Sequence, residues 1–411
     1  MKTIFAYFDD FRVKEPILMG RLFAQPTRGK EIFSFEFELE WLQTPYCRLL
    51  DPDMQLYKGR QFLADSKTNF GVFTDSAPDR WGRVLLERRE SLRVKEENVA
   101  RQTLMESDFL LGVNDSTRMG ALRLKTDVNG PFLDDDSTYP TPPFTSLREL
   151  EQASWHVEND TDSDIRKWLQ ILLVPGSSLG GARPKANVQA SDGSLWIAKF
   201  PSRNDRLDIG AWEAVAMQLA RACGITVADF DIIRYNNHAT FLTKRFDRTH
   251  DGKRIHFTSA MTMLGYSDGQ TEGCSYLELA EWISRNSCQV QTDLEELWKR
   301  IVFNIVISNC DDHLRNHGFV LSENGWRLAP AYDLNPMYYG SGLSLNINEH
   351  SNALDLSLAT EVAPYFGINS AKAAEIIAST KFNVAAWHRW ATHYKISREE
   401  QELIAPAIQS I

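Results

Sequence analysis

The chain has 411 residues, 43% hydrophobic and 24% charged, a composition that excludes wholesale disorder. Lys+Arg 45 against Asp+Glu 55 leaves a net charge of -10, a poor balance for direct, non-specific binding to duplex DNA. At ~100–200 residues per domain this length predicts two or three domains. No run approaches the ~18 apolar residues of a membrane span. The opening Met1–Asp10 turns acidic too soon for a secretory leader.

In chain order, Phe33, Phe35, Phe37, Leu39 and Trp41 alternate with polar residues, which predicts a strand with one buried face. Ser76-Ala77-Pro78-Asp79 predicts a helix start, with Pro78 where no N–H is needed and Asp79 at the positive end. Breakers at Gly112, Asn114, Asp115 and Gly120 precede a short strand around Ala121–Leu124. Residues 127–144, with Asp134-Asp135-Asp136 among prolines, read as a connection and a solvated loop. A Gly-rich stretch at 176–181 leads to a strand at Leu195–Phe200 and a helix at Ala211–Cys223 that Gly224 stops. Strands follow at Asp231–Tyr235 and Ala239–Thr243. Leu294, Leu297, Trp298, Ile301, Val302, Ile305 and Val306 recur at three- and four-residue steps and predict an amphipathic helix. The tail from Ser370 predicts two or three more helices. The order is thus a mixed strand/helix domain, a small strand-rich lobe and a larger helical lobe.

The five cysteines, Cys47, Cys223, Cys274, Cys288 and Cys310, are odd in number and form no C-x-x-C pair. A disulfide framework and a structural zinc site are not expected, and the setting reads as a reduced cytoplasm. Each cysteine is expected as a small buried apolar residue.

Four pieces of sequence bear on chemistry. In Pro175-Gly176-Ser177-Ser178-Leu179-Gly180-Gly181-Ala182-Arg183-Pro184-Lys185, glycines allow backbone N–H groups to approach phosphates. Ser177 and Ser178 add hydroxyls, and Arg183 and Lys185 add charge. Taken alone, the stretch also suits an ordinary turn between strands, and it is not a Walker A motif. Lys199, inside the apolar strand, needs a counter-charge or ligand, and Glu213 on the following helix is a kinase-like partner. A lysine snorkelling from an edge strand is the other reading. The long helix then runs into Asp311-Asp312-His313-Leu314-Arg315-Asn316-His317. Asp311 and Asn316 have the spacing of a kinase catalytic loop, with an Asp that accepts a hydroxyl proton and an Asn that holds magnesium. Finally a hairpin, Gly318–Leu321 with Trp326–Leu328, returns the chain to Tyr332-Asp333-Leu334, where a kinase keeps its metal-binding Asp. These parts, in this order, suit phosphoryl transfer, which depends mainly on positioning and charge neutralisation.

Taken with Asp75–Arg83, Leu110–Val113, Arg118–Arg123 and Lys244-Arg245-Phe246-Asp247-Arg248, these motifs resemble the HipA-type serine/threonine kinases, toxins of bacterial toxin–antitoxin pairs. The resemblance covers most of the chain. It implies an α+β fold: an N-terminal mixed α/β domain (1–126), a connection (127–144) and a bilobal kinase-like domain (145–411). That domain would have a small lobe at about 145–248 and a largely helical lobe at about 249–411.

The cofactors implied are ATP and Mg2+. Asp311 would be the catalytic base, and Asn316 and Asp333 the metal ligands. Ser177, Ser178, Gly180, Gly181, Ala182, Lys185, Lys199, Glu213 and His313 would form the nucleotide site, with Lys244, Arg245 and Phe246 as the adenine hinge. Ser178 would be the autophosphorylation position, where added negative charge opposes ATP. The substrate implied is a protein, with aminoacyl-tRNA synthetases one class of target. A separately encoded DNA-binding antitoxin is the implied partner, with DNA contacted only through it and no membrane involved.

Tyr332-Asp333-Leu334 replaces D-F-G, and no His-Arg precedes Asp311, departures the family shares. D-x-H-x-x-N also occurs in phosphoinositide kinases, so a lipid or small-molecule kinase is an alternative. So is a catalytically silent nucleotide-binding protein, although Lys199, Asp311, Asn316 and Asp333 are all retained. A hydrolase using Asp311, Asp312, His313 and His317 would leave Asn316 without a role.

Overall fold

The computed structural model describes the whole chain except residues 65, 134–140, 160–167, 170, 173–180, 182, 270–271 and 409–411. The Asp134-Asp135-Asp136 run and most of the Gly-rich stretch therefore lie outside the described residues. By contact the chain divides into two compact units, Met1–Arg203 with Asp247–Thr258, and Asn204–Phe246 with Ser259–Ile411. Residues 145–203, grouped by sequence with the kinase-like part, thus cluster with the N-terminal sheet.

The first unit is built on five antiparallel strands: β1 (Lys2–Phe8), β2 (Ile17–Pro26), β3 (Glu31–Phe37), β4 (Arg60–Phe62) and β5 (Leu122–Lys125), in the order β4-β3-β2-β1-β5. Phe33, Phe35 and Phe37 are buried, as their alternation requires. The strand does not continue to Trp41 as the alternation predicts. The Glu38 N–H donates to the Met19 carbonyl at 3.0 Å, and Leu39–Leu42 then coils into a short helix. Trp41 is buried there while Leu39 is exposed, so two more apolar residues at a two-residue step did not make more strand. Helix Arg80–Glu97 starts at Asp79, whose side chain accepts from the Gly82 N–H at 2.7 Å. Pro78 stands just outside the helix. Gly20 has no room for a side chain, because a Cβ would lie 2.4 Å from the Glu36 carbonyl. Outside that five-stranded sheet, strands Lys185–Gln189 and Leu195–Lys199 pair antiparallel, with Lys185 directly opposite Lys199.

The second unit opens with helix Ile209–Ala222, capped by Asp208 and followed by Gly224 at φ 73. Strands Phe230–Arg234 and Ala239–Lys244 pair antiparallel. Helices follow at Tyr276–Asn286 and Val290–Ile307, then the hairpin Gly318–Ser322 with Gly325–Leu328. Beyond residue 369 helices run over Ser370–Val384, Trp387–His393 and Arg398–Ile404. All five cysteines are free thiols, but only Cys274 is buried; Cys288 is exposed and the others are half-buried. No helix among the described residues is long and apolar enough to cross a membrane.

Candidate active site

Helix Val290–Ile307 is the platform of the site. The seven apolar residues that mark its periodicity are all buried, and the Trp298 indole donates to the Ala359 carbonyl at 2.8 Å. Ser308 ends the helix in the left-handed region, φ 53 and ψ 48, a conformation uncommon for a residue with a Cβ. Its hydroxyl donates to the Ala407 carbonyl at 2.6 Å, which holds the turn.

Residues 311–317 then close on themselves. The His313 N–H donates to the Asp311 carbonyl at 3.0 Å, and the Asn316 N–H donates to the His313 carbonyl at 2.8 Å. Asn316 also gives its side-chain Nδ2 to the Asp311 carbonyl at 3.0 Å. With its nitrogen committed there, Oδ1 is the end of the amide that could take a cation. The adjacent acids part company: Asp311 is exposed, whereas Asp312 is buried.

Asp333 arrives from the hairpin. The Ala329 N–H donates to the Gly318 carbonyl and the Ala331 N–H to the Thr226 carbonyl, at 2.9 and 2.8 Å, which guides the chain out of its last strand. The Tyr332 hydroxyl donates to the Arg315 carbonyl at 2.7 Å, pinning the residue before Asp333 to the residue before Asn316. Asp333 itself is left-handed, φ 59. Tyr332 also stacks on Phe246, with ring centroids 5.7 Å apart at 29°. Phe246 follows buried Arg245 and Lys244, whose N–H donates to the Asp229 carbonyl at 2.7 Å. The segment expected as the hinge and the Asp333 segment therefore meet within one unit.

The electrostatics record the convergence. Partial enclosure raises the Asp311 carboxyl above its ordinary range; the nearby His313 opposes this, and the charges of Asp333 and Asp312 add to it. Asp333 thus lies within electrostatic reach of Asp311. Asp312 behaves differently. Burial pushes its carboxyl upward, but His317, by charge and hydrogen bond, and the Tyr276 hydroxyl outweigh burial and hold it below the ordinary value.

Two features fit a magnesium–nucleotide group. Asp311 and Asp333 repel one another, a cost that a bound cation relieves, and the buried His313 Nδ1 has no hydrogen-bond partner among the described residues. Asn316 and Asp333 would hold the ion. Among the described residues no group of three His, Cys, Asp or Glu is placed to hold a metal unaided. Magnesium carried by phosphates needs only one or two protein carboxylates and no such cage.

The remaining expected residues are distributed over both units. Glu213 is buried in helix Ile209–Ala222 of the second unit. Lys199 ends strand Leu195–Lys199 of the first. Ser177, Ser178, Gly180 and Ala182 lie outside the described residues. Gly181 has φ 95, and a Cβ there would sit 2.8 Å from Lys185 Nζ, so the end of the Gly-rich stretch lies against that ammonium. Lys185 is itself buried and forms a 2.8 Å ion pair with Asp79, while the Trp81 indole donates to its carbonyl at 3.1 Å. Sequence reasoning missed this pair. It also missed the buried cluster of Tyr276, Asn304, Asp312 and His317 beneath the loop. The available signal was the doubled acid, since two neighbouring loop carboxylates seldom serve one purpose.

Residues 177–387 match the family model described as the HipA-like C-terminal domain. Y4mE of Sinorhizobium fredii is 29% identical over 38% of this chain and 41% of its own. The serine/threonine-protein kinase toxin HipA of Shewanella oneidensis is 26% identical over 47% of this chain and 50% of its own. The chain thus spans about half the length of these curated relatives. A solved structure of the Shewanella oneidensis MR-1 toxin–antitoxin system, with HipA, HipB and operator DNA, matches 98% of this chain and 95% of that chain. Its TM-score is 0.68 at 16% identity, so the two share a fold. With the family model covering just over half of the sequence and the α+β, kinase-like fold matched from end to end, the chain belongs to the HipA-like C-terminal domain family.

Proposed function

We propose that the protein is an ATP- and magnesium-dependent serine/threonine protein kinase of the HipA toxin type. The observation that carries the reading is the meeting of Asp311, His313, Asn316 and Asp333 on one closed loop and its neighbouring hairpin. In the reaction, the acceptor hydroxyl oxygen bonds to the γ-phosphorus, the bond from that phosphorus to the ADP oxygen breaks, and Asp311 takes the hydroxyl proton. Magnesium, when bound, neutralises the phosphate charge. On the family reading, His313 would meet a phosphate oxygen, and Lys199 and the Gly-rich stretch would supply further positive and N–H groups. Phe246 and Tyr332 offer an aromatic wall beside the hinge.

The finer parts of the proposal rest on the family. The target is a protein hydroxyl, an aminoacyl-tRNA synthetase being one class. Ser178 is the autophosphorylation position, and a small DNA-binding antitoxin relieves growth inhibition and carries any DNA contact. The chain works in the cytoplasm. Functionally the proposed divisions remain 1–126, 127–144 and 145–411.

The test is incubation with labelled ATP and magnesium, followed by mass spectrometry of the chain. Phosphate at Ser178, lost in Asp311→Ala with a fall in transfer of ~10²–10⁴-fold, is the expected result. Undiminished transfer by pure Asp311→Ala protein would remove the base.

A further inference from the structure

Asp312 is the acid that the proposed reaction does not use. Its Oδ2 accepts three hydrogen bonds: from the Tyr276 hydroxyl at 2.5 Å, from Asn304 Nδ2 at 2.8 Å, and from His317 Nε2 at 2.8 Å. The donors come from three elements. Tyr276 begins helix Tyr276–Asn286, Asn304 lies in the last turn of Val290–Ile307, and His317 immediately precedes strand Gly318–Ser322. All four side chains are buried. The chain of bonds goes further. Asn309 Nδ2 donates to Asn304 Oδ1 at 3.1 Å, and the Asn335 N–H reaches Asn309 Oδ1 at 3.4 Å.

The placement of these residues gives the network its meaning. Asp312 is next to Asp311, His317 is next to Asn316, and Asn335 is two residues beyond Asp333. The Asp312–His317 bond closes the base of the loop, so the residues between cannot splay apart. Asn304 and Asn309 extend the same network toward the Asp333 segment. A buried carboxylate satisfied by three donors is a rigid joint, because losing any one donor leaves polar groups unpaired away from water.

We propose that Asp312 is a positioning residue whose buried carboxylate fixes Asp311, Asn316 and Asp333 relative to one another. The consequence for transfer rests on the kinase reading above; the structural claim does not. An error of about 1 Å at reacting groups can cost about 100-fold in rate.

The experiment compares wild type with Asp312→Ala and the conservative Asp312→Asn, whose amide oxygen can still accept. It also compares His317→Ala with His317→Gln, which retains an N–H donor. Transfer kinetics give kcat and the KM for ATP, and amide hydrogen exchange reports on residues 311–317. Asp312→Ala is expected to lower kcat about 100-fold with KM for ATP within about twofold, and to speed exchange over the loop at least about tenfold. Asp312→Asn and His317→Gln should recover most of each loss. A kcat within about threefold of wild type in Asp312→Ala, or unchanged exchange over 311–317, overturns the proposal. If wild-type protein transfers no phosphate, the kinase reading falls and hydrogen exchange alone decides the positioning role. Should Asp312→Ala fail to fold, Tyr276→Phe and His317→Ala, each removing one donor, decide it by the same readouts.

Discussion

Replacing Lys185 by Met should strand a buried carboxylate. Asp79 caps helix Arg80–Glu97 through the Gly82 N–H and uses its second oxygen to hold Lys185 Nζ at 2.8 Å, with the two side chains 1% and 3% exposed. Breaking such a buried pair from one side costs about 3–5 kcal/mol. Burial already raises the Asp79 carboxyl, and the Lys185 charge is the strongest influence opposing it. Without Lys185 the folded-state pKa rises further above that of the unfolded chain. The folded protein then binds a proton that the unfolded chain releases, so the deficit of Lys185→Met should shrink as pH falls toward the ordinary carboxylate range. Removing both charges, in Asp79→Leu with Lys185→Met, should return stability to within about 1–2 kcal/mol of wild type, the remainder being mostly the lost cap. Urea unfolding followed by circular dichroism gives the stability of each variant. A cost below about 1 kcal/mol for Lys185→Met, or a double variant no more stable than that single one, would refute the reasoning.

Three further outcomes follow from the packing. Burial, with Arg12 adding to it, pushes enclosed His256 down to about 3 from 6.5, so its contribution to stability is complete above about pH 6.5 and is lost as pH falls toward 3. The loss is about 2 kcal/mol at pH 5; His256→Phe should flatten this part of the stability–pH curve, and an unchanged curve would disprove the assignment. Gly340→Ala would set a Cβ 2.1 Å from Cys310 Sγ, next to Asp311, and should lower both kcat and the unfolding midpoint at a cost of about 1–3 kcal/mol, with partial relief from Cys310→Gly. In Gly210→Ala the new Cβ would lie 2.3 Å from the Ala239 carbonyl, so helix Ile209–Ala222 must back away from strand Ala239–Lys244; circular-dichroism melting should show at least about 1–3 kcal/mol of lost stability.

Local chemistry made much of this protein readable from residue order. Helix Val290–Ile307 declares itself by a three- and four-residue period, and the hairpin after it by Glu323-Asn324-Gly325 between apolar runs. The Asp79 helix start is equally local. Spacing alone suggested Asp311, Asn316 and Asp333 as partners, because the short hairpin leaves the chain little freedom to carry Asp333 elsewhere. Other features were not legible. The period-two run through Leu39 and Trp41 looked like one strand, yet the sheet's last bond at Glu38 turns the chain into a helix. Nothing near Lys185 names a partner 106 residues away, and nothing near Asp312 says that it, rather than Asp311, turns inward to Tyr276. Periodicity and turn chemistry operate over a few residues and so are written in sequence. Which charge is buried, and what neutralises it there, depends on surfaces that meet only after the chain has folded, and tertiary packing alone made those choices.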